Sequence, residues 1–256
     1  MIEVAALATV LLLFRVAAFV AFLPPFFGRN VPQTVKVGLA VGLTLLWIPQ
    51  QVAIAAPELA WTIGPEPRWG ALGYLVIRET LFGIGLAWLL GLALVPVRIG
   101  GSYVAQEMGL TLGAITSSTD QQASNVISEA FEALAILVLF TTNLHHTPLR
   151  LFDACLEWNP VGQFPKDSLP GSEWVVSHVS WIIQQGLVIV APVAVLMLLA
   201  TAAMLVTMRL VPQLNLFTFG MPARVGVGML GLILFFPEVI ASVHRVLKHA
   251  TSHLFL

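Results

Sequence analysis

Apolar residues run through the chain in long stretches separated by short polar or proline-rich ones. The first covers residues 4–27 and carries one charge, Arg15. The second, residues 37–56, has none. The third, residues 80–97, is also uncharged and is preceded by Arg78 and Glu79. The fourth, residues 133–144, is extended upstream by the helical-looking run 126–132. The fifth covers residues 175–208, and the sixth, residues 225–243, is broken near Pro237 and Glu238. A bilayer core of about 30 Å needs roughly 20 apolar helical residues. As one helix the fifth run would be about 51 Å long at 1.5 Å per residue. It is therefore expected to tilt, kink at Pro192 or protrude from the bilayer. Barrel strands would alternate over about 10 residues, whereas these runs are continuous. The pattern predicts an all-α integral membrane protein, with about six long apolar helices in hairpins and residues 1–256 forming a single membrane-embedded domain.

The connections carry signals of their own. Pro24, Pro25 and Pro32 punctuate the first hairpin, and Pro57, Pro65 and Pro67 mark the second loop. Residues 159–171 hold Pro160, Pro165 and Pro170 and read as an exposed loop. Pro212 and Pro222 bracket a short non-helical stretch. Residues 116–125 are polar at nine of ten positions. Just before them, residues 100–116 are glycine-rich, too polar for a firm span and too apolar for a free loop. Non-helical backbone at membrane depth must be buried in protein or line a cavity. The leading expectation is a re-entrant, plug-like element over about residues 100–125, with an interfacial amphipathic segment as the alternative. Met108, Gly109, Leu110, Leu112, Gly113, Ile115 and Thr116 would form the plug, with Met108, Leu110, Leu112 and Ile115 making its dry constriction, and Gly100 and Gly101 a hinge. Apolar constrictions stop ions by dewetting.

Composition agrees with the hydropathy pattern. Apolar residues are 58% before the 20 glycines are counted, and charged residues are 10%. Soluble domains average roughly 45–50% apolar with glycine included and about 25% charged. Mean hydropathy is +0.91. The N-terminus lacks a basic region ahead of its long apolar run, so that run is expected to be retained. The net charge is −1, from 12 basic and 13 acidic residues, with no basic block, so nucleic acid is not an expected partner. With six spans, Arg29, Lys36, Arg98, Arg209 and Arg224 would face one side. Arg68, Arg78, Arg150, Lys166, Arg245 and Lys248 would face the other. Five against six gives no orientation, and fits helices that do not insert as six simple spans.

Catalytic signatures do not emerge. Neither Gly-x-Ser-x-Gly nor His-Glu-x-x-His occurs, and Cys155 is the single cysteine. Glu107, Glu129 and Glu132 lie outside the long runs or at their ends, unlike the mid-span carboxylates of proton-coupled transporters. No enzymatic activity, cofactor or metal is expected. Arg15, midway along the first run, stands out. An Arg at a helix centre costs about 2.5–3.5 kcal/mol on insertion scales. It reads as an inter-helix or inter-subunit anchor, against snorkelling as the plain alternative. Small residues recur four apart at Gly38 and Gly42, at Gly83, Ala87 and Gly91, and at Gly109 and Gly113. That spacing lets helix backbones approach, within the chain or between subunits.

Several motifs resemble the FliR/SctT family of the type III secretion export gate. Arg15-Val16 followed by Val31-Pro32-x-x-Val35-Lys36-x-Gly38-Leu39-Ala40 looks like its first hairpin. Met108-Gly109-Leu110 is similar to its central glycine-rich segment, and Leu144-His145-His146 with Pro160-x-Gly162 to its fourth-helix end and loop. Most specific is the Val211–Pro222 stretch, with Pro212, Gln213, Asn215, Phe217, Gly220 and Pro222 in the family pattern. The family often has Gln-Met-Gly where this chain has Glu107-Met108-Gly109, and an Asp-Pro pair that residues 116–120 lack.

The resemblance implies a non-enzymatic channel-forming subunit of the bacterial inner membrane and flagellar basal body. It would assemble with FliP-type and FliQ-type gate subunits and contact FlhB-type and FlhA-type components. Unfolded flagellar proteins would pass through the gate. Gly220 before Met221-Pro222 favours the flagellar over the injectisome branch. A six-helix small-molecule or ion transporter is the alternative from another class.

Overall fold

The computed structural model describes residues 2–23, 32–59, 69–110, 126–163, 172–211 and 219–253. Helices account for nearly all of them, and no strand occurs among the described residues. The chain divides into two compact units. Unit 1 comprises Met1–Leu92 and His145–Pro170, and unit 2 comprises Ala93–Leu144 and Gly171–Leu254.

Unit 1 contains α1 (Ile2–Phe22), α2 (Gln33–Leu59), α3 (Trp69–Gly91) and the short α6 (Thr147–Trp158). Helix α1 packs against both α2 and α3. Leu11, Leu12, Val16, Phe19 and Val20 are among its buried side chains. Helix α6 is amphipathic and buries Pro148, Leu151, Phe152 and Leu156 at helical spacing. Phe152 lies between Phe19 and Trp47, with both ring-centroid distances at 4.8 Å. Helix α3 begins well before residue 80, so Arg78 and Glu79 lie inside it rather than on its flank.

Unit 2 contains α4 (Val95–Glu107), α5 (Val126–Thr141), α7 (Ser172–Leu210), α8 (Met221–Leu234) and α9 (Phe236–His253). Helix α4 packs against both α5 and α7, and α9 against α5 and α7. Pro96 sits in the first turn of α4, where its missing N–H costs nothing. Helix α7 runs 39 residues through Pro192. Helices α8 and α9 are bent by 67° around Phe235, next to Pro237, where the sixth apolar run was expected to break. Asn143 ends the turn after α5 with φ +58, a conformation Asn tolerates.

Candidate functional site

Two sites follow from this packing, one in each unit. In unit 1, α1 brings Arg15 and α3 brings Glu79 into the interior, with relative exposures of 1% and 0%. Arg15 Nε donates to Glu79 Oε2 at 2.6 Å, and Arg15 Nη1 donates to the Asn159 carbonyl at 2.8 Å. Arg78 Nη2 donates to Glu79 Oε1 at 2.6 Å, and the Gly162 N–H donates to the same oxygen at 3.1 Å. The Phe82 ring lies 5.3 Å from the Arg15 guanidinium carbon, within cation–π range. Gln51 of α2 accepts the Val161 N–H at 3.1 Å. Trp47 Nε1 donates to Asp153 Oδ1 at 2.9 Å, tying α2 to α6.

One carboxylate thus joins two helices to the turn after α6. Two features of backbone shape make it possible. Gly83, one turn after Glu79, sits against the Arg15 carbonyl, where a Cβ has no room. Gly162 has φ +86 and lies against Leu59, so it needs both the conformation and the size of glycine. A buried Arg–Glu pair of this kind supports the fold only while all members are present, because removing one strands a charge in low dielectric.

In unit 2 the segment after α4 is rooted in protein. The Met108 N–H donates to Val104 O at 3.0 Å, and the Gly109 N–H to Gln106 O at 2.9 Å. Gly109 turns the chain with φ +79. Met108 is fully buried, and its thioether end rests on Gly228 of α8. Leu110 is half-buried. Leu112, Gly113, Ile115 and Thr116 lie outside the described residues.

The stretch from residue 100 was expected to form a re-entrant, plug-like element; its first part is helix, with α4 continuing to Glu107. Gly100 and Gly101 are packing positions rather than a hinge. A Cβ on Gly100 would lie 2.9 Å from the Gly186 carbonyl of α7, and one on Gly101 2.7 Å from Ser128 Cα of α5. Gly186 in turn faces Ile99 and the Pro96 carbonyl. Beside this contact Arg98 Nε donates to Glu132 Oε2 at 2.9 Å, and Ser128 Oγ donates to the Arg98 carbonyl at 3.2 Å.

The remaining sequence-derived positions are distributed as follows. The Pro32 carbonyl accepts the Val35 N–H at 3.0 Å and so starts α2. Lys36 is exposed. A Cβ on Gly38 or Gly42 would meet no atom within 4 Å among the described residues. Gly91 is half-buried at the end of α3. Pro212, Gln213, Asn215 and Phe217 lie outside the described residues. Gly220 is buried with φ −70 and ψ −42, ordinary helical angles, so its backbone does not demand glycine. Pro222 occupies the first turn of α8. Sequence reasoning missed Glu79 and placed Asn159 and Gly162 in an exposed loop, whereas Asn159, Pro160 and Val161 are buried. A mid-span Arg calls for a carboxylate, and Glu79 directly precedes an apolar run.

Four helical stretches among the described residues are long and apolar enough to cross a membrane, or six if each bent pair is one span. With charge inside unit 1 and apolar side chains on the outside, the class is a polytopic helical membrane protein. The model of the bacterial export proteins, family 1, matches residues 6–250, and the chain belongs to that family. Curated relatives carry the name flagellar biosynthetic protein FliR. That of Escherichia coli (strain K12) is 28% identical over 217 residues, covering 85% of this chain and 79% of the relative. That of Pectobacterium carotovorum subsp. carotovorum is 27% identical, covering 88% and 82%. That of Bacillus subtilis (strain 168) is 24% identical over 244 residues, covering 93% and 90%. These names agree with the resemblance drawn from the sequence motifs.

Proposed function

We propose that this chain is a non-enzymatic, channel-forming subunit of the protein export gate used in flagellum biosynthesis. It sits in the bacterial inner membrane and passes unfolded flagellar proteins. The observation that carries the reading is the family match along residues 6–250, with relatives named for flagellar biosynthesis. Its partners are FliP-type and FliQ-type subunits, with FlhB-type and FlhA-type components. The open, glycine-bearing face of α2 supports assembly with further helices, because small residues allow close backbone approach in lipid. In this reading the segment after Met108 closes the pore at rest. Gly109 supplies its turn and Met108 its anchorage on α8.

The test is deletion of residues 109–114 in a flagellated host lacking its own copy. The expected result is an assembled complex that leaks ions, read as collapse of a pH gradient in vesicles. Unchanged ion permeability in an assembled deletion mutant would remove the plug role. Restoration of motility by the intact chain tests the flagellar assignment. Restoration of needle-type secretion alone would move the chain to the injectisome branch.

A further inference from the structure

The polar and apolar residues of α7 are segregated along its length. Glu173, Ser177, His178, Ser180, Gln184 and Gln185 all fall in its first part, and residues 186–208 carry no charge. Those 23 residues span about 35 Å as helix, close to the thickness of a bilayer core. A span over residues 186–208 places Trp181 and Gln185 at the level of the lipid headgroups, where Trp is favoured.

At this level unit 2 has a cavity of about 300 Å³ between α7 and α9. Its lining includes Trp181, Gln185, Ser242, Arg245 and His249. Arg245 Nη2 donates to Ser242 Oγ at 3.0 Å, which fixes the guanidinium beside the cavity. Trp181 and His249 stack with centroids 5.1 Å apart, and His178 adds a ring 5.9 Å from Trp181. Helix α9 turns its apolar residues inward. Val239, Val243, Val246, Leu247 and Ala250 are buried, while Arg245, Lys248 and His249 are exposed. Glu238 is the acidic residue of α9 and lies two turns before Arg245, outside the lining.

We propose that this cavity binds the phosphate of an anionic phospholipid headgroup. Arg245 supplies the charge-assisted hydrogen bonds, with Gln185, Ser242 and His249 as further donors. From Val188 in the lining, Val195 and Leu199 continue along the same face of α7 and are about half exposed, an apolar strip along which acyl chains lie. That strip favours a lipid over free phosphate. Basic pockets at helix ends near the membrane surface are suited to such headgroups.

The test titrates the full chain, extracted in mild detergent, with short-chain phosphatidylglycerol, short-chain phosphatidylcholine or inorganic phosphate, following tryptophan fluorescence. Phosphatidylglycerol is expected to bind saturably and at least about tenfold more tightly than either of the others. Arg245→Gln is expected to weaken it by about tenfold, and Lys248→Gln, on the same helix but outside the cavity, by less than about twofold. His249→Gln gives a second variant should Arg245→Gln fail to fold, with an intermediate loss expected. Equal losses from Arg245→Gln and Lys248→Gln would reduce the effect to diffuse surface charge and overturn the site. Equal binding of phosphatidylcholine would also overturn it, and equal binding of inorganic phosphate would overturn the lipid assignment.

Discussion

Helices in unit 1 meet around a charge, and helices in unit 2 meet around glycines. In unit 1 the Glu79 carboxylate accepts from Arg15, Arg78 and the Gly162 N–H, all in the interior. In unit 2 glycines stand tightly against their neighbours, Gly100 against Gly186, Gly101 against Ser128, Gly228 against Met108 and Gly231 against Leu196. Its Arg–Glu pair, Arg98 with Glu132, is partly open, with side-chain exposures of 44% and 25%. Both arrangements answer one constraint. Lipid tails are as apolar as Leu, so burial of apolar surface does not drive helices together in a membrane. Association must come from polar bonds or from close packing, and each unit relies mainly on one of the two. A polar bond depends on particular partners, and close packing on a particular shape, so the units should fail differently when mutated.

The largest effect is expected at Glu79. Glu79→Leu leaves Arg15 and Arg78 in the interior without their shared carboxylate, at a cost of about 3–5 kcal/mol. The expected outcome is a sharp fall in the amount of protein recovered from membranes and in its thermal stability. The double variant Arg15→Leu/Glu79→Leu should recover part of that loss, because one uncompensated charge is removed with it. If the double variant is as damaged as the sum of the two single ones, the pair is not the source of the stability. Unit 1 would then rest on packing, as unit 2 does.

These two regions were unequally legible in the sequence. The apolar runs were visible, since their length and continuity follow from the bilayer itself. Arg15 was visible for the same reason: a charge in mid-span is costly enough to demand an explanation. Its partner was not, because Glu79 is 64 residues away and reads locally as the polar flank of a span. The break near Pro237 was legible from proline chemistry. The roles of Gly100, Gly101 and Gly220 were not. Glycine signals either backbone freedom or lack of volume, and only the neighbours tell which. At Gly101 the neighbour is backbone of α5, so volume decides; at Gly109, with φ +79, conformation decides.

The second prediction separates rigid from yielding neighbours within unit 2. Gly101→Ala places a methyl against Ser128 Cα at 2.7 Å, so two helix backbones must part. Overpacking of this kind costs about 1–3 kcal/mol. Gly228→Ala meets only side-chain atoms of Met108, from its Cγ to its methyl, and three rotatable bonds let that side chain move. Thermal unfolding in detergent should therefore rank Gly101→Ala well below Gly228→Ala. The reverse order would mean that Met108 is held more firmly than the α4–α5 contact.

A third, smaller effect is expected on α2. Gly38 and Gly42 face open space among the described residues, so Gly42→Ala should leave unit 1 intact. Replacing Gly in a helix interior stabilises it by about 0.5–1 kcal/mol. Gly42→Leu should keep the fold but lose co-purifying subunits where another helix seats on this face. Full recovery of those subunits with Gly42→Leu would show that the glycines of α2 serve no interface.

The smallest effect tests the comparison most directly, because it repeats the chemistry of Glu79 in a wetter place. Arg98 makes two hydrogen bonds to Glu132, as good a geometry as the buried pair has. Geometry is therefore matched between the units, and environment is what differs. Where water or headgroups reach the guanidinium, a stranded partner can be solvated, and exposed pairs are worth about 0.2–1 kcal/mol. Glu132→Gln should accordingly shift thermal stability by no more than that. Raised salt, which screens exposed pairs, should lower wild-type stability slightly and leave the variant unchanged. The same salt series on the wild type and on Glu79→Gln should show no such convergence, since the Glu79 cluster is sealed from solvent. A Glu132→Gln loss as large as that of Glu79→Gln would mean that the pair on α4 and α5 is not open to solvent in the membrane. Both units would then be held together by charge.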